Sequence, residues 1–185
     1  PSLKGNFSSY PKMFEDFLKI KKKKWIVDTF SIYNGDFPKD IVKYDGFLIT
    51  GSKFGVYEDH FWMKDLFRII IKIVETNIPL IGICFGHQAI AQALGGLVEK
   101  SNKGWGVGII PMDNYIIKPW MGNLSKSIKL ICFHQDQVIS LPPNSDHIGG
   151  NKFCNYSSFS LNNSVYTLQG HPEFNNEYAM QLLNL

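Results

Sequence analysis

One thiol in this chain sits where a thiol can attack a carbonyl. Cys84 lies in Leu80-Ile81-Gly82-Ile83-Cys84-Phe85-Gly86-His87-Gln88-Ala89-Ile90, with Gly82 and Gly86 two residues to either side. A sharp strand-to-helix turn around a nucleophile requires this spacing, because strained backbone leaves no room for side chains beside it. The stretch Leu80 to Ile83 lacks polar alternation, which predicts a strand covered on both faces of a parallel sheet. Ile90, Ala93, Leu94 and Leu97 then recur with helical spacing, and Gly95-Gly96 supply a stop. Cys84 therefore falls at a helix N-terminus, where the macrodipole and unpaired N–H groups favour a thiolate. A lone cysteine is more often a small buried hydrophobe. The two glycines and the helix start tip this one toward a nucleophile.

Such a thiolate needs a general base, and the base needs a carboxylate to orient it. Five histidines are available: His60, His87, His134, His147 and His171. Only His171 has a carboxylate fixed to it locally, in Leu168-Gln169-Gly170-His171-Pro172-Glu173-Phe174. Val165 to Gln169 reads as a strand, and Pro172 biases His171 toward extended backbone. Residues i and i+2 of an extended stretch share a face, so Glu173 can reach the imidazole. Taken alone, this motif reads equally as a strand-end turn with solvated charges. Beside the glycine-flanked cysteine it completes a candidate triad of Cys84, His171 and Glu173. The backbone N–H of Phe85, next to the nucleophile at the helix start, is the natural first donor to an oxyanion.

The segments GICFGHQ around Cys84 and QGHPEF around His171 together resemble the class I glutamine amidotransferase family. The likeness is nearest to its stand-alone branch, close to the glutaminase domain of GMP synthase and including the plant γ-glutamyl peptidases. Further matching segments are YDGFLITGS (44–52), KGWGVG (103–108) and FHQDQVISLPP (133–143). The resemblance implies an α/β fold, a flavodoxin-like three-layer α/β/α core with a mostly parallel central sheet and a small antiparallel β extension. It implies hydrolysis of the γ-amide of glutamine through Cys84, His171 and Glu173, by way of a γ-glutamyl thioester. It also implies a second oxyanion donor in the loop Gly51-Ser52, where the family usually carries two glycines and a proline and this chain has Gly51-Ser52-Lys53. The peptidase branch tolerates Gly-Ser.

By the same resemblance Gln88 holds substrate, and His134, Gln135 and Asp136 form a substrate-binding segment. From the residues alone Gln88 reads as a helix-surface amide, and His134 reads nearly as well as a satisfied loop histidine. His87 is expected to pack or hydrogen-bond, and Cys132 and Cys154 to be structural. The implied partner is glutamine or a γ-glutamyl small molecule, with a separate synthase subunit to accept ammonia. One alternative is a γ-glutamyl peptidase acting on γ-glutamyl peptides or glutathione-type substrates. Another, of a different class, is a non-catalytic binding or regulatory module of the same fold, which would have no physical need for all three triad residues.

The elements that must position these groups follow from periodicity. Pro11 opens a helix with Phe14, Phe17 and Leu18 on one face. The basic run from Lys19 to Lys24 leads into an expected strand, Trp25 to Phe30, and reads as a solvated connector rather than a nucleic-acid patch. A turn at Asn34-Gly35-Asp36 precedes a buried strand from Gly46 to Thr50. Asp59 is expected to cap a helix whose Trp62, Leu66, Ile69, Ile70 and Ile73 face the core. After Gly96 the pattern changes to short strands (106–110, 130–133, 147–149, 157–161 and 165–169) and a last helix near 177–183.

The chain has 185 residues, 44% of them hydrophobic, enough for one domain with a full core, and its net charge of +3 does not demand a nucleic-acid partner. Three cysteines without a C-x-x-C pair, one of them a nucleophile, fit a reducing, cytoplasmic setting. No apolar run reaches the length of a membrane span. No cofactor and no metal is expected, since Gly104-Trp105-Gly106-Val107-Gly108 lacks the full dinucleotide-binding pattern and no ligand spacing occurs. The family opens on a hydrophobic strand, whereas this chain opens on the loop-like Pro1 to Ser9. A first strand and the C-terminal end are therefore expected to lie outside the 185 residues.

Overall fold

The computed structural model describes residues 10–19 and 25–184. Helix α1 (Tyr10–Lys19) is followed by strand β1 (Phe47–Ile49), helix α2 (Met63–Glu75), strand β2 (Leu80–Ile83) and helix α3 (Phe85–Ala93). Strands β3 (Leu97–Lys100), β4 (Gly106–Asn114), β5 (Ser127–His134), β6 (Asp136–Ser140), β7 (Asp146–Gly150), β8 (Ser158–Leu161) and β9 (Val165–Leu168) lead to helix α4 (Asn176–Leu182).

Seven strands form one mixed sheet in the order β1-β2-β9-β8-β7-β4-β5, and β3 and β6 pair separately. β1, β2 and β9 run parallel, with Leu80 opposite Val165 and Ile83 opposite Leu168. From β9 outward every pairing is antiparallel, so the extension continues the central sheet instead of standing apart from it. The α/β class is as expected. Strands β3 and β6 escaped the sequence reading, because each is short and sits in a stretch that also resembles loop.

The strand pleat sends alternate residues to opposite faces, and two cores result. Leu80, Val165 and Phe159 join α2 and α3 on one face, with Leu66, Ile70, Ile73, Ala89 and Ile90. Ile83, Leu168 and Leu48 face the other way and meet Phe14 and Tyr10 of α1. The central strands are thus sandwiched, and the triad segments emerge at their C-terminal ends.

Several local expectations differ from the structure. Residues 25–30 form no strand and are mostly exposed, and no described strand lies beyond β1 to offer them a ladder. Most of the lysine run lies outside the described residues. β1 is half-buried rather than buried, and Ile81 in β2 is 38% exposed, because α1 covers only the C-terminal end of that face. Phe17 of α1 is exposed while Phe14 is buried. The α2 N-cap is Trp62, without a side-chain cap, and not Asp59. Leu97 belongs to β3 and is exposed, since Gly95 turns the chain out of the helix in a left-handed conformation (φ 89°). The last helix is capped by the Asn175 side chain, which accepts from the Tyr178 N–H at 2.8 Å. No described helix is long and apolar enough to cross a membrane.

Candidate active site

Cys84 is the N-cap of α3 and carries φ 54°, ψ −103°, a conformation costly for any side-chain-bearing residue. Its N–H donates to Leu168 O (2.8 Å) and its carbonyl accepts from the Gln88 N–H (3.1 Å), so strand and helix both grip the strained residue. The flanking glycines have a steric reason. A Cβ on Gly86 would lie 2.1 Å from Ile49 O, and one on Gly82 would lie 2.6 Å from Gly86 O. The turn is closed tightly against β1, and only hydrogen fits at either position.

His171 and Glu173 arrive from the turn after β9. The His171 N–H donates to Ile131 O (2.8 Å), which ties the turn to β5. His171 Nδ1–H donates to Glu173 Oε1 at 2.7 Å, and both side chains are almost wholly buried. Phe174 stacks flat on the imidazole, with centroids 3.9 Å apart and planes 6° off parallel. Burial alone would push the His171 pKa down. The charge and hydrogen bond of Cys84, then Glu173, outweigh it and raise the value to about 9. The other two buried histidines go the opposite way, His87 down to about 3 and His134 down to about 4, in each case chiefly through burial. Burial also pushes the Cys132 and Cys154 thiols up, to about 12 and about 11. Among the buried histidines, only the one facing Cys84 and Glu173 has its pKa raised.

The remaining expected residues fall into two groups. Phe85 is the first residue of α3, so its N–H has no acceptor within the helix. Gly51 is half-buried, and a Cβ there would lie 3.1 Å from His171 Cε1, which places the loop after β1 against the imidazole. Ser52 is exposed, and its Oγ accepts from the Phe54 N–H (3.3 Å).

Gln88 is not on the helix surface. It is buried, and its Nε2 donates to Asp136 O (2.9 Å) and to Gln169 Oε1 (3.1 Å). His134 Nδ1 lies 3.0 Å from the same Asp136 carbonyl. Gln135 donates to Ser101 O (3.3 Å), and Asp136 Oδ1 accepts from Tyr57 Oη–H (2.9 Å). His87 is fully buried and hydrogen-bonds Thr167 Oγ1 at 2.8 Å, a packing role.

Gln169 was missed as a site residue. It is buried, and its Nε2 points at Cys84 Sγ (3.6 Å) while its Oε1 takes the Gln88 amide. Its position two residues before His171, at the end of the strand read over Val165 to Gln169, was the available signal. Tyr10 was missed too: its hydroxyl donates to Glu173 Oε1 at 3.0 Å. No sequence signal near the triad marks it. Among the described residues no group of His, Cys, Asp and Glu is arranged to hold a metal ion.

Residues 23–183 match the family model described as Glutamine amidotransferase class-I. The chain belongs to that family. It is 30% identical to γ-glutamyl peptidase 3 of Arabidopsis thaliana, over 98% of this chain and 76% of that protein. It is also 30% identical to the GMP synthase [glutamine-hydrolyzing] of Wigglesworthia glossinidia brevipalpis, over 90% of this chain but only 32% of that one. The fold matches the crystal structure of a glutamine amidotransferase from Thermotoga maritima with a TM-score of 0.81 at 22% identity, covering 93% of this chain and 74% of that one. The relatives it matches are named as a peptidase and a glutamine-hydrolysing synthase, which supports enzyme activity.

Proposed function

We propose that this enzyme cleaves a γ-glutamyl C–N bond with Cys84 as nucleophile, His171 as acid and base, and Glu173 as the carboxylate that orients it. The observation that carries this reading is the buried 2.7 Å His171–Glu173 pair, which faces Cys84 at the strained start of α3. Cys84 Sγ attacks the γ-carbonyl carbon, and the carbonyl π electrons move to oxygen. The Phe85 N–H and the Gly51-Ser52 loop receive that oxyanion, each donor being worth about 2.7–4 kcal/mol. When the tetrahedral adduct collapses, the C–N bond breaks and His171 gives its proton to the departing amine. The γ-glutamyl thioester remains on Cys84. His171, now neutral, takes a proton from water, which attacks the thioester. Glutamate leaves, and the thiolate–imidazolium pair is restored.

The substrate's α-amino group calls for an anion, and Asp136 supplies one beside the site. Its carboxylate is fixed by Tyr57, while Gln88 and His134 hold its carbonyl. Gln135 shapes the same segment through Ser101. A free thiolate nucleophile suits a reducing compartment such as the cytoplasm.

Glutamine is the simplest substrate, and its ammonia would then pass to a separate synthase subunit. A γ-glutamyl peptide is the second reading, favoured by the similarity to a γ-glutamyl peptidase along 98% of this chain. Glutamate release from glutamine, a γ-glutamyl dipeptide and glutathione, each with Cys84→Ala as control, separates the two. Turnover of the peptides above glutamine selects the peptidase, and turnover of glutamine alone selects the amidotransferase. Release that survives Cys84→Ala overturns the mechanism.

A further inference from the structure

The carboxylate that orients His171 is itself held from one side only. Glu173 Oε2 is buried and has no hydrogen-bond partner among the described residues. Oε1 accepts two donors: the His171 Nδ1–H at 2.7 Å and the Tyr10 hydroxyl at 3.0 Å. A carboxylate anchored by the imidazole alone could not orient that imidazole, because the pair would rotate together. The independent anchor is Tyr10, the first residue of α1 and more than a hundred and fifty positions away in sequence.

Packing holds the hydroxyl in place. The Tyr10 ring meets Phe14 edge-on at 5.6 Å, and Phe174, which is stacked on His171, at 6.1 Å. The hydroxyl also lies 3.3 Å from His171 Nδ1, and a Cβ on Gly51 would come within 2.6 Å of it. Tyrosine, imidazole and the loop after β1 are thus in mutual contact. Burial and the Glu173 charge push the phenol pKa far above its ordinary value, so the group stays an O–H donor.

We infer that Tyr10 is a positioning residue for the reaction: through Glu173 Oε1 it fixes the rotation of the carboxylate and so the direction in which His171 presents its other nitrogen to Cys84. This rests on the triad reading above. It also makes α1 part of the active site rather than only a cover for the sheet.

Tyr10→Phe keeps the ring and removes the hydroxyl. A hydrogen bond to a charged group contributes about 1.5–3 kcal/mol, so kcat should fall by about 10- to 100-fold with KM and the melting temperature little changed. The readout that does not depend on substrate is the proton NMR signal of the His171 Nδ1–H. In the unaltered protein that signal should be sharp and far downfield. In Tyr10→Phe it should broaden through exchange. Phe14→Leu, which loosens the packing around the ring and keeps the hydroxyl, should lower the melting temperature more than Tyr10→Phe does and should lower kcat less. Unchanged kcat and an unchanged signal in Tyr10→Phe would overturn the inference while Cys84→Ala remains silent. A loss shared equally by Tyr10→Phe and Phe14→Leu would also overturn it, reducing Tyr10 to a packing residue. Activity surviving in Cys84→Ala would remove the triad, and this inference with it.

Discussion

The two halves of the candidate site are held by different means. The cysteine half is set by backbone: Cys84 is pinned at φ 54° by hydrogen bonds from strand and helix, and Gly82 and Gly86 allow the turn to close against β1. The histidine half is set by side chains: a carboxylate, a phenol and a stacked phenylalanine fix the imidazole after the strand has ended. Backbone strain and side-chain orientation fail differently when altered. A change in the first half should damage the fold and the chemistry together. A change in the second should damage the chemistry and spare the fold.

The largest expected effect tests the side-chain half. Glu173→Gln keeps the shape but offers the imidazole an amide, whose N–H group opposes the Nδ1–H tautomer. Removing the orienting carboxylate of such a triad costs about 10^4-fold in kcat. Chemical denaturation should show a stability close to that of the unaltered protein, because the side chain makes few other bonds. A large drop in the denaturation midpoint would mean that the two halves do not differ as argued.

The backbone half is tested by Gly86→Ala. A methyl 2.1 Å from Ile49 O cannot be accommodated unless β1 and α3 move apart. Overpacking of this severity costs about 3 kcal/mol or more. The denaturation midpoint and the activity should fall together. A folded, stable Gly86→Ala protein with normal stability would show that the elbow is looser than its contacts indicate.

The same contrast explains what could be read from the sequence. The elbow was legible because its requirements are local: two glycines around a cysteine at 82–86, and a helical stripe that begins at Ile90. The His171–Glu173 pair was legible for the same reason, since both groups share one extended turn. Tyr10 was not, because it reaches Glu173 only after α1 has docked on the sheet, and no local pattern encodes that. Gln88 illustrates the limit from the other side. Its place on the helix suggested a solvated amide, yet β6 covers it and takes its amide hydrogen at the Asp136 carbonyl. In the fold, α2, α3 and the parallel strands followed from periodicity. The strand expected at residues 25–30 did not form, because apolar residues make a strand only where a neighbour offers a ladder.

The smallest expected effect concerns the charge that couples the halves. The His171 pKa lies near 9, above the ordinary value of 6.5, because Cys84 and Glu173 together outweigh its burial. Cys84→Ser replaces the thiol with a hydroxyl that does not ionise in this range and leaves Glu173 in place. The His171 titration, followed by NMR, should then move down from about 9. The effect on stability carries a definite sign. A group whose pKa is raised in the folded state stabilises the fold fully below its unfolded value, and that contribution disappears as pH rises through the folded value. His171 should therefore support the unaltered protein up to neutral pH and lose its contribution on the way to pH 9. In Cys84→Ser the alkaline loss should be smaller and should be complete at a lower pH. If the His171 midpoint stays near 9 without the thiol, Glu173 alone holds the proton, and the two halves act on the imidazole independently.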